Sequence, residues 1–283
     1  MLTKFNQIVL VLVVVVSIPS IAQETTTPLN DNYTAHNKGK FFFFWGGNRD
    51  SYTKSDIHFK GADYDFTLFN VEADDKPKGW HIDYINPGRM TIPQTNFRMG
   101  YFISDHYSVG IGVDHMKYVM TQNQNVVING TYPSSYDGNQ INNGVLNLTD
   151  ESFLTFEHTD GLNFVHAEVS RFDDFSKLLN IRKTDKFQVN VTEGFSTGLL
   201  YPKTNAQLLG KTRHDDFHVA GYGVAAKVGL NLTFFKHFFI QYELKGGYIN
   251  MNDIQTSYDS ADSASQEFFF FQKIIAVGGI FKI

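Results

Sequence analysis

Wherever the chain is regular beyond residue 40, apolar and polar positions alternate with a period of two, the pattern of strands whose two faces meet different surroundings. From Asn96 to Ser104, Phe97, Met99, Tyr101 and Ile103 share one face, while Asn96, Arg98, Gly100, Phe102 and Ser104 share the other. Tyr107, Val109, Ile111 and Val113 likewise oppose Ser108, Gly110, Gly112 and Asp114. Residues 186–200 set Phe187, Val189, Val191, Phe195 and Leu199 against Gln188, Asn190, Thr192, Gly194, Ser196 and Gly198. Residues 220–234 and 238–248 repeat the partition. Glu193 falls on the apolar face, which predicts a β-bulge near Glu193-Gly194.

Each apolar face is wide and ends in aromatics, and each opposite face mixes glycine with charge. Soluble sandwiches also alternate, but their strands average about five or six residues and their solvent faces carry little glycine. Strands of roughly 9 to 16 residues with aromatic ends match a transmembrane barrel, in which the apolar face meets lipid and the polar face fills the lumen. In Thr233-Phe-Phe-Lys-His-Phe-Phe-Ile240, Phe234, Phe235, Phe238 and Phe239 are expected at the membrane–water boundary, with Lys236-His237 as a periplasmic turn. Tyr101-Phe102 and Tyr107, around Ser104-Asp105-His106, repeat that design. The predicted fold is all-β, an antiparallel up-and-down transmembrane barrel of eight strands. They lie at 40–48, 93–104, 107–120, 151–172 (interrupted near His158 to Gly161), 186–200, 217–235, 238–250 and 267–282. Residues 49–92 and 121–150 become long extracellular loops, and a further hairpin in either, using Tyr64 to Val71 or Val126 to Ile128, raises the count to ten or twelve.

The N-terminal residues bear on compartment. Lys4, the apolar run Ile8 to Val16 and the small residues of Ser20-Ile21-Ala22 make residues 1–22 a cleaved secretory signal peptide. Residues 23–39 read as a flexible periplasmic leader and 40–283 as the barrel domain, which places the chain in the cell outer membrane. Phe and Tyr are abundant, at 27 and 14 of 283 residues, in keeping with aromatic girdles. A net charge of −5 without a basic block argues against nucleic acid as a partner, and zero Cys removes disulfides, thiolate metal sites and cysteine nucleophiles together.

The segments Ser55-Asp-Ile-His-Phe-Lys-Gly61, Gly112-Val-Asp-His-Met-Lys-Tyr118, Phe156-Glu-His-Thr-Asp-Gly-Leu-Asn163 and Phe234-Phe-Lys-His-Phe-Phe239 resemble those of outer-membrane β-barrel proteins of the Bacteroidetes lineage. The likeness covers roughly residues 40–283 and implies neither a reaction nor a ligand. The closing Phe281-Lys282-Ile283 resembles the terminal strand engaged by the barrel-insertion machinery, without its aromatic last residue.

Candidate chemistry is sparse. Glu157-His158-Thr159-Asp160 superficially resembles the His-x-Ser-Asn stretch of outer-membrane lipid hydrolases, but a carboxylate stands where the serine is needed, so a polar strand break at the rim is favoured over a catalytic centre. His115 and Lys117 keep the lipid-facing parity near headgroup level, where contact with lipopolysaccharide phosphates competes with simple solvation. His214, Asp216 and His218 share a parity, but on an extended strand they span ~13 Å, too far for one metal ion. No cofactor or metal is expected. Arg98, Asp114, His166, Glu168, Lys227, Glu243 and Lys245 take the lumen parity, and in eight strands they pair as a polar core. The reading is a structural, surface-binding or accessory barrel acting through its extracellular loops, with lipid and lipopolysaccharide around it and a membrane-complex partner as a further expectation. A narrow porin-like channel is the alternative, with the hydrolase third.

Overall fold

The structure, a computed structural model, describes residues 33–77, 79, 93–136, 138, 140–149, 151–211, 213 and 216–282. The proposed signal peptide and most of the leader lie outside the described residues. Among the described residues, fifteen strands form one antiparallel sheet. They are β1 (Phe41–Tyr52), β2 (Ser55–Lys60), β3 (Asp65–Val71), β4 (Ala73–Asp75), β5 (Thr95–Phe102), β6 (Tyr107–Met120), β7 (Asn125–Thr131), β8 (Ile141–Asn142), β9 (Val145–Asn147), β10 (Leu154–Asp174), β11 (Phe187–Leu200), β12 (Asn205–Leu208), β13 (Gly221–Phe234), β14 (Phe238–Gln255) and β15 (Ser263–Phe281).

Eight of these close a ring in the order β1-β5-β6-β10-β11-β13-β14-β15, with β15 pairing back onto β1 from Phe41↔Phe281 to Tyr52↔Phe270. Residues laterally paired with Trp45 run through Phe97, Val113, Val165, Leu199, Tyr222, Asn250 and Glu267, whereas β1 itself pairs Trp45 with Val277. The register is therefore staggered by ten residues around the ring, the shear that tilts strands by roughly 35–45° in a closed barrel. The expected bulge at Glu193-Gly194 is not there: β11 keeps unbroken register with both neighbours. The ring's irregularities fall instead at His158/Leu162 and Met251/Ile254.

The interior is filled in three tiers. At the end carrying the short turns, Phe44, Phe102, Phe172, Phe239, Ile274, Ala276 and Ile280 form an apolar cluster with Ala35, and Tyr33 packs against it. Residues 33–38, the tail of the polar leader, are tied down there: Tyr33 Oη donates to the carbonyls of Asp105 (2.8 Å) and Phe172 (2.9 Å), and the Lys38 amide to Asp105 (2.8 Å). Charged and amide side chains fill the middle tier. In the upper tier the inward residues turn apolar again, with Met116, Tyr118, Phe156, Leu162, Phe164, Ile249, Met251, Phe268 and Phe270 in one large core.

That tiering corrects the girdle assignment. Phe239 and Phe102 are buried inside the lower cluster, whereas Phe235 and Phe238 are exposed at the boundary. The turn between β13 and β14 is centred on Phe235 and Lys236, both at positive φ (54° and 61°), an unusual conformation for non-glycine residues, and the His237 amide closes it on the Phe234 carbonyl at 3.1 Å.

The described parts of the long loops form strands, and their hairpins do not enlarge the ring. Above Phe269, β2 takes over from β1 as the partner of β15, and the sheet continues β15-β2-β3-β7-β9-β8 as a cap. Likewise β4 pairs the top of β6 beyond the end of β5, and β12 pairs the top of β10 beyond the end of β11. At these three places a loop strand takes up the upper ladder that a wall strand leaves, so those backbone groups stay paired. Phe59, Phe66, Leu68, Ile128, Leu146 and Phe153 carry the cap's apolar face into the upper core. Lys211 pins three loops at its edge, bonding Asp262 (2.9 Å), reaching Asp63 (3.4 Å) and lying 4.7 Å from the Tyr64 ring centroid.

Phe66 sits at the cap's centre, with its ring near those of Phe59 (5.4 Å) and Phe153 (5.9 Å). Phe66→Ala is expected to cost about 3–5 kcal/mol. Limited proteolysis should then cut within 53–75 and 121–153 while the remaining barrel keeps its folded, heat-modifiable gel migration.

Candidate functional site

The middle tier gathers Arg98, Asp114, His166, Glu168, Lys227, Glu243 and Lys245 from five wall strands into one network. Arg98 Nη1 contacts Asp114 Oδ1 at 2.6 Å and Arg98 Nε approaches Glu168 Oε2 at 3.4 Å. Lys227 bridges Glu168 (2.7 Å) and Glu243 (3.0 Å), while Lys245 donates to Asp114 Oδ2 (2.6 Å) and lies 3.3 Å from His166 Nε2. Lys227 and Lys245 stand directly opposite each other on β13 and β14, a like-charge arrangement that interleaved carboxylates must offset. Three cations and three carboxylates balance, leaving His166 no net charge to compensate. Gly112 on β6 makes room for Arg98 to lie flat, since a methyl group there would come within 2.3 Å of its Cδ.

Amides extend the network in both directions. Downward run Gln241, Asn231, Asn190 and Thr233; upward run Asn96, Asn48 and Gln94, which reaches Asp50 (3.0 Å) and Asp75 (2.5 Å). Beneath Glu168 and Lys227 a cavity of about 30 Å³, room for a water or two, is lined by Ser170, Thr192, Phe44 and Phe239.

Outside, the faces are reversed in level. Around the lower and middle ring the outward residues are apolar: Met99, Ile111, Phe195, Val228, Leu230, Ile240, Ile275 and Val277 are all exposed. Tyr101, Tyr107, Phe238 and Phe281 border this belt below, with Tyr222, Phe269 and Phe271 above. Beyond Phe269 the outward residues become Glu267, Ser265 and Ser263 on β15 and Asn250 and Asn252 on β14, with apolar residues now inside. A closed ring with a polar middle, an exposed apolar belt and aromatic borders is built for a bilayer. The chain is an outer-membrane β-barrel.

The rim candidates separate. His158 is buried in the upper core between Tyr118 and Phe156, its Nδ1 3.0 Å from Thr204 Oγ1, so it is not a solvated rim residue. Asp160, its supposed companion, is exposed and 3.5 Å from Arg213, while Glu157 accepts from Asn205 (2.7 Å) and reaches Lys76 (3.3 Å). Among the described residues, the side chain hydrogen-bonded to the His158 ring is Thr204, and Asp160 points to Arg213 instead. His115 is also buried, paired with Asn163 (2.8 Å), and the Lys117 carbonyl accepts from Tyr52 (2.9 Å). His218 sets its two ring nitrogens 3.0 Å and 2.7 Å from the carbonyls of Asp216 and Asp253. His214 lies outside the described residues, and among the described residues no metal-type cluster forms.

A concave site appears where the cap meets the wall. Asp56 and His58 of β2, Thr67 of β3, Asn250 and Asn252 around β14, and Ser265 and Glu267 of β15 line an open groove of about 210 Å³ just above the upper aromatic border. Glu267 accepts from Tyr248 (2.5 Å) and Asn250 (3.1 Å), and His58 pairs with Asp65 (2.8 Å). Carboxylates, amides and hydroxyls on adjacent strands suit a polyhydroxylated ligand. The groove was not foreseen, because it needs the β15–β2 pairing that only the folded loops create; the alternation Glu267 against Phe268 was its sequence trace.

No family model matches the sequence, and no curated protein matches it. Among solved structures the chain is similar to the attachment invasion locus protein Ail of Yersinia pestis (TM-score 0.33, 10% identity, 86% of this chain and 99% of that one). It is also similar to the outer membrane protein OprG of Pseudomonas aeruginosa (0.34, 11%, 88% and 98%) and to Neisserial surface protein A (0.33, 10%, 86% and 97%).

Arg98→Met leaves three buried carboxylates with only Lys227 and Lys245 to balance them, and urea unfolding in phospholipid vesicles is expected to show a loss of about 3–5 kcal/mol. Outside the wall strands, burial raises Asp75 above its usual value, against hydrogen bonds from the Asp50 amide and Gln94 and the charge of Arg49. A raised carboxyl favours the fold while protonated, so stability present below the ordinary Asp range of about 3.9 is lost as pH climbs through the raised value. The dependence of the unfolding midpoint on pH should flatten over that window in Asp75→Asn, whatever constant offset the substitution adds.

Proposed function

We propose that this protein is a closed, non-conducting outer-membrane barrel that serves as a surface-binding or accessory protein through its folded extracellular cap, without a catalytic centre. The observation that carries this reading is the filled interior: an aromatic layer, an ion-paired layer and an apolar core occupy successive levels of the ring. Eight strands leave an interior that side chains fill, which disfavours the porin-like alternative. The ligand class that the groove's chemistry supports is a sugar or other polyol reached from the cell exterior, with Asp56 and Glu267 as the main acceptors.

In planar bilayers the protein should add no unitary conductance, and on an array of soluble oligosaccharides it should retain a subset that Asp56→Ala/Glu267→Ala fails to retain. Regular single-channel steps would sink the closed-barrel reading, and an array without retained sugars would sink the polyol assignment.

A further inference from the structure

At the end that carries the short turns, the periplasmic end of an outer-membrane barrel, the longest connection among the described residues joins β10 to β11. Its first half is held in a fixed shape. The Leu179 amide donates to the Phe175 carbonyl (3.0 Å) and the Ile181 amide to that of Ser176 (2.9 Å), while Asn180 closes the turn at a φ of 58°. Ser176 Oγ in turn accepts from the Val189 amide (3.0 Å), which fastens the turn to β11. This frame presents Leu178 and Leu179 to the outside, 68% and 57% exposed. Neighbouring leucines held open in this way mark a surface that something covers.

Two features say what covers it. The first is continuity with the lipid-facing belt. Phe238 on the lower aromatic border pairs with Phe234, and Phe234 with Phe187, their rings 5.3 Å apart, so the border runs along the wall to the foot of β11, where the turn ends. The Phe235 amide donates to the Lys186 carbonyl (2.9 Å), which joins this turn to its neighbour between β13 and β14, and Phe235 itself is exposed. The second feature is charge. Residues 175–187 carry Lys177, Arg182, Lys183 and Lys186 against one acid, Asp185, and Lys236 adds a cation from the adjoining turn. Asp105, Asp173 and Asp174, at the same end, are engaged already: Asp173 by Arg171 (2.8 Å) and His106 (3.0 Å), Asp174 by the Thr34 and Ser176 amides (2.6 and 2.8 Å), and Asp105 by the Lys38 amide (2.8 Å). Lys183, Lys186 and Lys236 are all exposed. Leucines beside an aromatic border, with lysines just beyond it, match a segment that sinks its apolar side chains into the acyl boundary and sets its cations among anionic headgroups. A free anion would leave the leucines uncovered.

We propose that the β10–β11 turn is a docking site for anionic phospholipid of the periplasmic leaflet, with Leu178, Leu179 and Phe235 against the acyl chains and Lys183, Lys186 and Lys236 on the headgroup phosphates. The site lies at the opposite end of the barrel from the groove, and neither assignment depends on the other.

Native mass spectrometry of the detergent-solubilised full chain, titrated with phosphatidylglycerol and with phosphatidylcholine of the same acyl chains, reads the site. Phosphatidylglycerol is expected to be held at least about tenfold tighter, with the preference reduced to within about twofold in Lys183→Gln/Lys186→Gln/Lys236→Gln. In Leu178→Ser/Leu179→Ser, retention of phosphatidylglycerol should fall at least about threefold. Equal retention of the two lipids by the unaltered chain overturns the proposal, as does a lysine variant that keeps the preference or a leucine variant that keeps full retention. Glycerol phosphate at the same concentration should leave the lipid bound; displacement marks a free-anion site and overturns the lipid assignment. Sedimentation of the unaltered chain, but not the lysine variant, with purified peptidoglycan would place the turn against the cell wall and overturn it too. Heat-modifiable gel migration confirms that each variant is folded, and the two-lipid comparison on the unaltered chain decides the matter if one is not.

Discussion

Closure of the ring is the constraint on which everything else rests. Hydrocarbon offers backbone groups no hydrogen bonds, so a strand can cross it only if both of its edges are paired, and the twelve-residue ladder between β1 and β15 supplies the last pairing. Once the ring is closed with a stagger of ten residues, its radius is set, and with it the volume that side chains must fill. Glycines at 112 and 194 and long charged chains at 98, 227 and 245 are complementary answers to that volume, thin where another chain must pass and long where a gap must be crossed.

The vertical order of chemistry follows from what surrounds each level. Around the middle tier the wall faces acyl chains outside, so polar groups can only be inside, where each needs a partner. Above the belt the wall faces water, and the same strands exchange roles, their inward residues becoming the core on which the cap condenses. Runs of four phenylalanines fall at the two transitions. In Phe41 to Phe44 and Phe268 to Phe271 alternate rings point out to the aromatic borders and in to an apolar cluster, so both parities are aromatic where both faces are dry.

Much of this was legible in the chain because period-two alternation survives closure unchanged. The eight wall strands and the inward parity of Arg98, Asp114, Glu168, Lys227, Glu243 and Lys245 can be read without coordinates, since a wall residue's side is decided locally. What alternation does not reveal is the identity of the medium on each side. Ile249 and Met251 carry the inward parity of Lys245, yet they are apolar against outward Asn250 and Asn252, and that exchange along one strand was the trace of the membrane's upper limit. His158 and Phe239 were misplaced for the same reason: adjacency to polar or boundary residues in sequence says little about which side of the wall a residue takes. The cap depends on β15–β2 and β3–β7 contacts between segments far apart in the chain, which no local pattern encodes.

Charges on the lipid side test this account most severely, and they fall into two kinds. Glu193 stays on the outward parity without a bulge because Arg171 stands directly opposite it on β10, and Arg171 in turn lies 2.8 Å from Asp173. Opposite charges on adjacent strands offset one another, so the wall can keep its regular register and still tolerate an acid in the belt. Arg49 and Lys273 set two cations opposite each other; Arg49 Nη1 donates to the Asn48 carbonyl at 2.6 Å, and no rearrangement within the ladder separates the pair without losing the register that closes the ring.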